Sequence, residues 1–259
     1  MKKLLTYICF FILLISNSQT KDLIMSNNNF IAHAGGGIDK LKYTNSLEAI
    51  SKSIKNGFKY IELDIHVSKD NKLVFLHDWL SFKKSINFTK LDNNPMFYDD
   101  YIKSKIYNKY SVITIEKIIS IFNENKDLIL VTDKIGDFDI LINNIPFMER
   151  TIVEIFGKQN YMRSLFHKIP NRMLSTDLNS NDKIFIKILN IKYIAIHSSK
   201  VDENKEYLKK LVKKGVKVFA YSSNNENFIL KNINKTVSAV YTDFWDIKKK
   251  NCSYNCVTY

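Results

Sequence analysis

The sequence predicts an α/β fold, a (β/α)₈ TIM barrel with a β-hairpin extension after its second strand. Strand-like runs alternate with amphipathic stretches almost without a break. Eight such runs fall within about 230 residues, more than an open doubly wound sheet usually holds. No internal repeat and no Pro/Ser-rich linker divides the 259 residues, and a 45% hydrophobic content supplies one large core.

The strand runs are FIAHA, KYIELDIHV, LILVTDKI, RTIVEIF, RMLSTDL, YIAIHSS, KVFAYSS and AVYTDFW. Between them lie SLEAISKSIKNG, TIEKIISIFNEN, NYMRSLFHKI, DKIFIKILNI, NKEYLKKLVKKG and NENFILKNINK, whose apolar residues recur three and four apart, the spacing of one helix face. Gly57 and Gly215 stand where helix C-caps belong. LVFLHDW breaks the alternation because it follows KYIELDIHVSKDNK too closely for a helix to intervene. SKDN therefore reads as a tight turn, and the run as an antiparallel return strand over the barrel mouth. The stretch from Ser81 to Ser111 has no clear period and reads as an irregular lid or linker.

The ends of the chain carry different signals. MKK, an apolar run from Leu4 to Ile15 and then SNSQTKD with small Ser16 and Ser18 follow the plan of a secretory signal peptide over residues 1–18. That plan implies a secreted or periplasmic protein; an uncleaved leader would act as an anchor, and translation from Met25 would leave the protein cytoplasmic. Residues 26–247 then form the barrel and 248–259 a basic tail. Its Cys252 and Cys256 suit a small disulfide in an oxidising compartment, whereas two thiols without nearby histidines make only half a zinc shell.

A net charge of +13 favours anionic partners and would suit association with a membrane surface. The lysines are spread along helical stretches and mixed with Asn and Ile, without a recognised nucleic-acid motif, so no nucleic acid is expected. The oligomeric state stays open.

In such a barrel the active site lies at the C-terminal ends of the strands. Those ends carry His33, Glu62, Asp64, Asp133, Glu154, Asp177, His197, Tyr221 and Asp243, a dense polar ring. Glu62 and Asp64 are two apart on a strand and so share its inward face. Carboxylates crowded inside a barrel repel each other and lose hydration, so they need a cation between them or a shared proton. With Asp133 as the third acid, the all-oxygen set suits a divalent cation, Mg²⁺ or Ca²⁺, rather than zinc. His33 and His77 end strands on either side, placed to act as general base and general acid on a phosphodiester.

The residues resemble the glycerophosphodiester phosphodiesterases, within the wider group of PI-phospholipase C-like barrels. The family runs His-Arg-Gly, then Glu-Asn-Thr before a Leu-Glu-Ala helix, then Glu-Leu-Asp and His-Asp; here stand HAGG, YTNSLEAI and YIELDIHVSKDNKLVFLHD, with AVYTDFW matching a late Thr-Asp strand end. The resemblance is dense from Ile31 to Asp78 and recurs thinly to Trp245. It implies that His33 and His77 are the catalytic pair and that Glu62, Asp64 and Asp133 hold the metal. Two departures stand out: Ala34 replaces the arginine that contacts phosphate, and Thr44 replaces the glutamate of Glu-Asn-Thr. Loss of a cation and an anion together leaves no unpaired charge, which reads as a concerted change in the pocket. The third acid is Asp where the family usually has Glu, and in this it also resembles the phospholipase D-type toxins built on the same barrel.

Other residues complete the expected site. Lys134 follows Asp133 directly, where the family places lysine two residues later; strand alternation turns it away from Asp133 unless the strand has ended there. Glu154 shares parity with Ile152 and should point inward beside the metal site, to substrate hydroxyls or the cation's water, while Tyr221 can stack on a leaving group. His197 is a candidate pocket wall, and His66 reads as a solvated hairpin residue. Three consecutive glycines, Gly35 to Gly37, in a chain with only seven read as backbone passing close to a bound ligand.

The functional expectation is a metal-dependent phosphodiesterase acting on a small-molecule, lipid or glycan phosphodiester. A phospholipase D-like lyase that forms a cyclic phosphate and a non-catalytic barrel that binds an anionic headgroup or glycan are the alternatives.

Overall fold

The computed structural model describes residues 29–254. The signal-peptide reading and any pairing of Cys252 with Cys256 therefore rest on residues outside the described ones. Among the described residues no helix is long and apolar enough to cross a membrane.

In chain order the strands are β1 (Phe30–Ala32), β2 (Tyr60–Val67), β3 (Leu73–Phe75), β4 (Lys105–Ile106), β5 (Tyr110–Ser111), β6 (Ile129–Asp133), β7 (Thr151–Phe156), β8 (Asn171–Ser175), β9 (Tyr193–His197), β10 (Lys217–Tyr221), β11 (Ala239–Thr242), β12 (Trp245–Asp246) and β13 (Asn251–Cys252). The α-helices are α1 (Leu47–Asn56), α2 (Trp79–Ser85), α3 (Tyr98–Lys103), α4 (Ile115–Glu124), α5 (Phe138–Asn144), α6 (Lys158–Phe166), α7 (Ser180–Ile188), α8 (Lys205–Lys213) and α9 (Glu226–Asn232).

Eight parallel strands, β1, β2 and β6 to β11, close into a barrel because β1 pairs with β2 on one side and β11 on the other. Strand alternation divides the core in two. Ile61, Leu63 and Ile65 of β2 face the surrounding helices, in one cluster with Ile50, Phe122 and Leu208. Tyr60 faces inward with Ile129, Ile152, Met173, Tyr193 and Phe219 and fills the barrel axis. β3 pairs antiparallel with β2 in the register Ile65 with Phe75 and Val67 with Leu73, carrying β2 beyond the barrel rim.

The stretch from Ser81 to Ser111 corrects the expectation of an irregular lid. It holds most of α2, all of α3 and the β4–β5 hairpin, and packs its own apolar cluster of Trp79, Phe82, Met96, Tyr98, Tyr101, Ile106 and Tyr110 against Val74 and Leu76. The buried Tyr101 hydroxyl accepts the Phe75 N–H at 3.1 Å and donates to the Ile113 carbonyl at 2.9 Å, fastening this layer to the hairpin. Its helices have only seven and six residues, too short to show a 3.6-residue period in sequence.

Candidate active site at the barrel mouth

The first loop is shaped by close packing. Gly36 has φ +98°, and a Cβ there would lie 2.1 Å from Ser53 Oγ; a Cβ on Gly37 would lie 2.2 Å from the Phe244 ring. The glycines thus bring the loop against α1 and the segment after β11, which corrects the reading that they admit a ligand. What the loop delivers to the mouth is His33 and the N–H of Ala34. Ala34 is wholly buried at φ +49°, and its N–H donates to Glu62 Oε2 at 2.7 Å.

Ser46 caps α1 by accepting the Ala49 N–H, and Asn45 just before it faces the barrel. The Asn45 amide donates to Asp64 Oδ2 at 2.9 Å, while its carbonyl oxygen accepts the Asp64 N–H at 3.1 Å. The Asn-Ser pair of YTNS thus both starts a helix and fixes a carboxylate.

Glu62, Asp64 and Asp133 come together as expected, with one carboxylate oxygen from each within 4.8 Å of the others. The Asp64–Asp133 pairing in the β2–β6 register puts them side by side. Burial holds the Glu62 carboxyl well above its ordinary range, reinforced by the charges of Asp64 and Asp133 and opposed by the Ala34 N–H. Burial likewise raises Asp133, against the pull of Lys134. A hard, all-oxygen donor set in which burial works against the charge of Glu62 and Asp133 fits a divalent cation.

Lys134 swings back rather than away. Its φ of +67° ends the strand and brings Nζ to 2.9 Å from Asp133 Oδ2 and 3.9 Å from Asp64 Oδ1. Burial disfavours its charge, but Asp133 and Asp64 more than offset this and raise its pKa. Behind it Glu154 is pushed up to about 8 by burial and by Asp133, and its Oε2 accepts the Tyr241 hydroxyl at 2.9 Å.

The two histidines are each held by a carboxylate. His33 Nδ1 lies 3.1 Å from Asp243 Oδ1, and the other Asp243 oxygen accepts the Asn224 amide at 2.7 Å. Asn224 Oδ1 in turn accepts the N–H groups of Asp243 and Phe244. Burial by itself would lower the His33 pKa; Asp243, then Asp64 and Asp133, outweigh it and raise it. His77 Nδ1 lies 2.9 Å from Asp78 Oδ2. Tyr43 stands between the histidines, its ring centroid 4.7 Å from each. Burial and the Asp243 charge push its hydroxyl up to about 12, so it stays a neutral donor.

These groups surround a cavity of about 230 Å³ that His33, Tyr43, Glu62, Asp64, His77, Asp133, Lys134, Glu154, His197, Tyr221 and Tyr241 line together. All eight residues proposed from sequence for catalysis, metal and substrate are among them. Asp177 is exposed and outside the lining. His66 is not a solvated hairpin residue: it lies within β2, half-buried, with Nε2 3.1 Å from the His77 carbonyl oxygen. Sequence reasoning missed Tyr43, Tyr241 and the pairing of His33 with Asp243. Asp243 was visible as a strand end, but only barrel closure brings it to a residue 210 positions away.

A model described as the Glycerophosphoryl diester phosphodiesterase family matches residues 33–247. A comparison with curated proteins returns no match. Among solved structures, a glycerophosphodiester phosphodiesterase from Parabacteroides distasonis superposes with a TM-score of 0.68 at 17% identity, covering 84% of this chain and 93% of that one. One from Thermotoga maritima gives 0.66 at 18%, covering 85% and 96%. An Oleispira antarctica phosphodiesterase in complex with the product sn-glycerol-3-phosphate gives 0.66 at 19%, covering 85% and 94%. At these identities the structures show a shared fold.

Proposed function

The chain belongs to the glycerophosphoryl diester phosphodiesterase family, whose members are phosphoric diester hydrolases, and from that premise we propose that it cleaves a glycerophosphodiester-like substrate with a divalent cation and a histidine pair. One observation carries the proposal: the carboxylates of Glu62, Asp64 and Asp133 converge in a cavity that two histidines also line, each histidine tied to its own carboxylate. Glu62, Asp64 and Asp133 would hold Mg²⁺ or Ca²⁺. The cation's contribution when bound is to neutralise the non-bridging phosphate oxygens. Lys134, the one lysine or arginine in the lining among the described residues, places a second positive charge beside them.

Asp243 fixes the His33 ring through Nδ1 and assigns proton transfer to Nε2; the raised pKa lets His33 hold the proton it takes from water. Asp78 orients His77 in the same way toward the departing oxygen. Tyr43 packs against both rings and Glu154 accepts from Tyr241, which leaves substrate hydroxyls to be met by Glu154 and Tyr221 at the far wall. Glycerophosphodiesters, lysophospholipids and bis(p-nitrophenyl) phosphate, assayed with Mg²⁺, Ca²⁺ or EDTA, test the proposal. Cleavage should need a cation and be lost in His33→Ala. Equal behaviour of wild type and variant on every compound, with or without metal, contradicts it and favours a non-catalytic binder; a cyclic phosphate product would favour the lyase chemistry.

The leader-like residues 1–18 and the net charge of +13 support export and contact with anionic membrane surfaces. A mature N-terminus at Met1 or Met25 would contradict the cleaved leader.

A further inference from the structure

A second cavity, of about 360 Å³, adjoins the first and shares two of its walls, Tyr43 and His77. It lies between the loop that carries Thr44 and the packed layer of residues 79–111, and no step proposed above uses it. We infer that this cavity seats the leaving alcohol, and that it is built for an alcohol with an apolar body. The inference rests on the hydrolase reading above and specifies which ester arm lies where.

A phosphodiester carries two ester arms, and in-line displacement puts the entering and departing oxygens on opposite sides of phosphorus. The first cavity must take the phosphoryl group, its cation, the attacking water and one arm within about 230 Å³. The second arm needs its own space, and His77 is the histidine on the boundary between the two cavities. In the step that follows, a P–O bond forms to water and the P–O bond to the alcohol breaks. The water's proton passes to His33, and a proton from His77 goes to the departing oxygen. The products are a phosphate monoester and a free alcohol lying in the second cavity.

The chemistry of the walls selects the alcohol. Most polar groups there are already engaged. Thr44 Oγ1 is 3.0 Å from Ser46 Oγ, Ser85 Oγ donates to the Phe82 carbonyl at 2.7 Å, and Asp78 accepts the Ser81 N–H at 2.7 Å while orienting His77. The rest of the lining is chiefly carbon, from Leu76, Phe82 and Ile106 with the rings of Tyr43 and Tyr107, beside the Ser81 hydroxyl. The lining holds one cation, Lys42, and one carboxylate, Asp78, which is spent on His77 and the Ser81 N–H, so a cationic alcohol such as choline or ethanolamine gains less there than an apolar one. Thr44, at the position where the resembling family carries glutamate, adds no second carboxylate to this wall beside Asp78. The volume lies within the roughly 300–1,000 Å³ of small-molecule sites, and apolar walls reward each methylene they remove from water.

The test is a series of methyl, butyl, hexyl and choline esters of sn-glycerol-3-phosphate, cleaved by the full chain with Mg²⁺ or Ca²⁺. Simple alkanols depart with nearly the same acidity, so differences report binding in the second cavity. kcat/KM for alkanol release should rise by roughly fourfold for each methylene buried, with the choline ester below the butyl ester. Ser81→Trp fills the cavity from the exposed first turn of α2 and should flatten this rise while melting near the wild-type temperature. Tyr107→Ala, at an exposed hairpin position, gives an independent reading and should lower the slope. Equal kcat/KM across the alkyl series, or a slope unchanged in folded variants, overturns the inference and leaves the hydrolase reading intact. Failure to cleave any ester with either cation overturns both.

Discussion

Along β2 the inward-facing residues run Tyr60, Glu62, Asp64; along β6 they run Ile129, Val131, Asp133; along β7, Ile152 and then Glu154. The same strands, read with the same period of two, thus build an apolar plug at one end of the barrel and a cluster of acids at the other. At the plug the apolar side chains gain by leaving water, and removal of one opens a void. At the mouth Glu62 and Asp133 are held above their ordinary pKa ranges by burial and mutual repulsion, so the fold maintains a charge arrangement that works against its stability. The difference separates positions that hold the barrel together from positions that give it chemistry.

That separation can be broken by substitution, and the largest effect should fall at the mouth. His33→Ala is expected to lower kcat by about 10²–10⁴-fold with little change in melting temperature, measured by steady-state kinetics and calorimetry. At the plug the pattern should invert. Phe219 is wholly buried among Tyr193, Tyr241 and the other axial residues, and Phe219→Ala should cost about 3–5 kcal/mol in denaturant unfolding.

Glu62→Gln sharpens the contrast because it should abolish activity yet stabilise the protein in EDTA at neutral pH. The sign follows from the raised pKa. A carboxyl that holds its proton more tightly when folded contributes stability fully present below its ordinary value of 4.5, lost as pH rises toward and through the folded value. The advantage of the glutamine variant should therefore widen with pH over that window, as followed by urea titrations.

The smallest effect belongs to an acid of the opposite kind outside the barrel. Asp182 completes the capping box of α7 with Asn179, accepts from Thr176 and pairs with Lys158 at 2.7 Å. Burial opposes its ionisation, but Lys158, Thr176 and the Asn179 N–H outweigh it and hold the carboxyl below its ordinary 3.8. Asp182→Ala should cost about 1 kcal/mol at neutral pH. The stabilisation is present above 3.8 and fades as pH falls through the lower folded value, so the gap between variant and wild type should close in acid.

The two ends were also unequally legible in the sequence. Alternation in YIELDIHV and RTIVEIF gives both the inward acids and the apolar residues below them, because a strand's period survives in any context. Eight such runs also give the barrel. Hidden were features that depend on the third dimension or on single dihedral angles. Lys134 reaches Asp133 only because its φ is +67°, and Tyr43 enters between the histidines from a residue at φ +58°. The His33–Asp243 pair depends on β1 closing against β11. The layer of residues 79–111 was unreadable because its elements are short and its apolar residues answer to packing rather than period.

The chemistry of the mouth depends on whether its three acids hold a cation. Calorimetric titration of Mg²⁺ and of Ca²⁺ into the EDTA-stripped, dialysed chain tests this most directly, with Glu62→Gln in parallel. Saturable binding of at least one of these ions at one site per chain is expected, weakened by at least about 10-fold in the variant. No binding of either ion, or equal affinity in the two proteins, would contradict it.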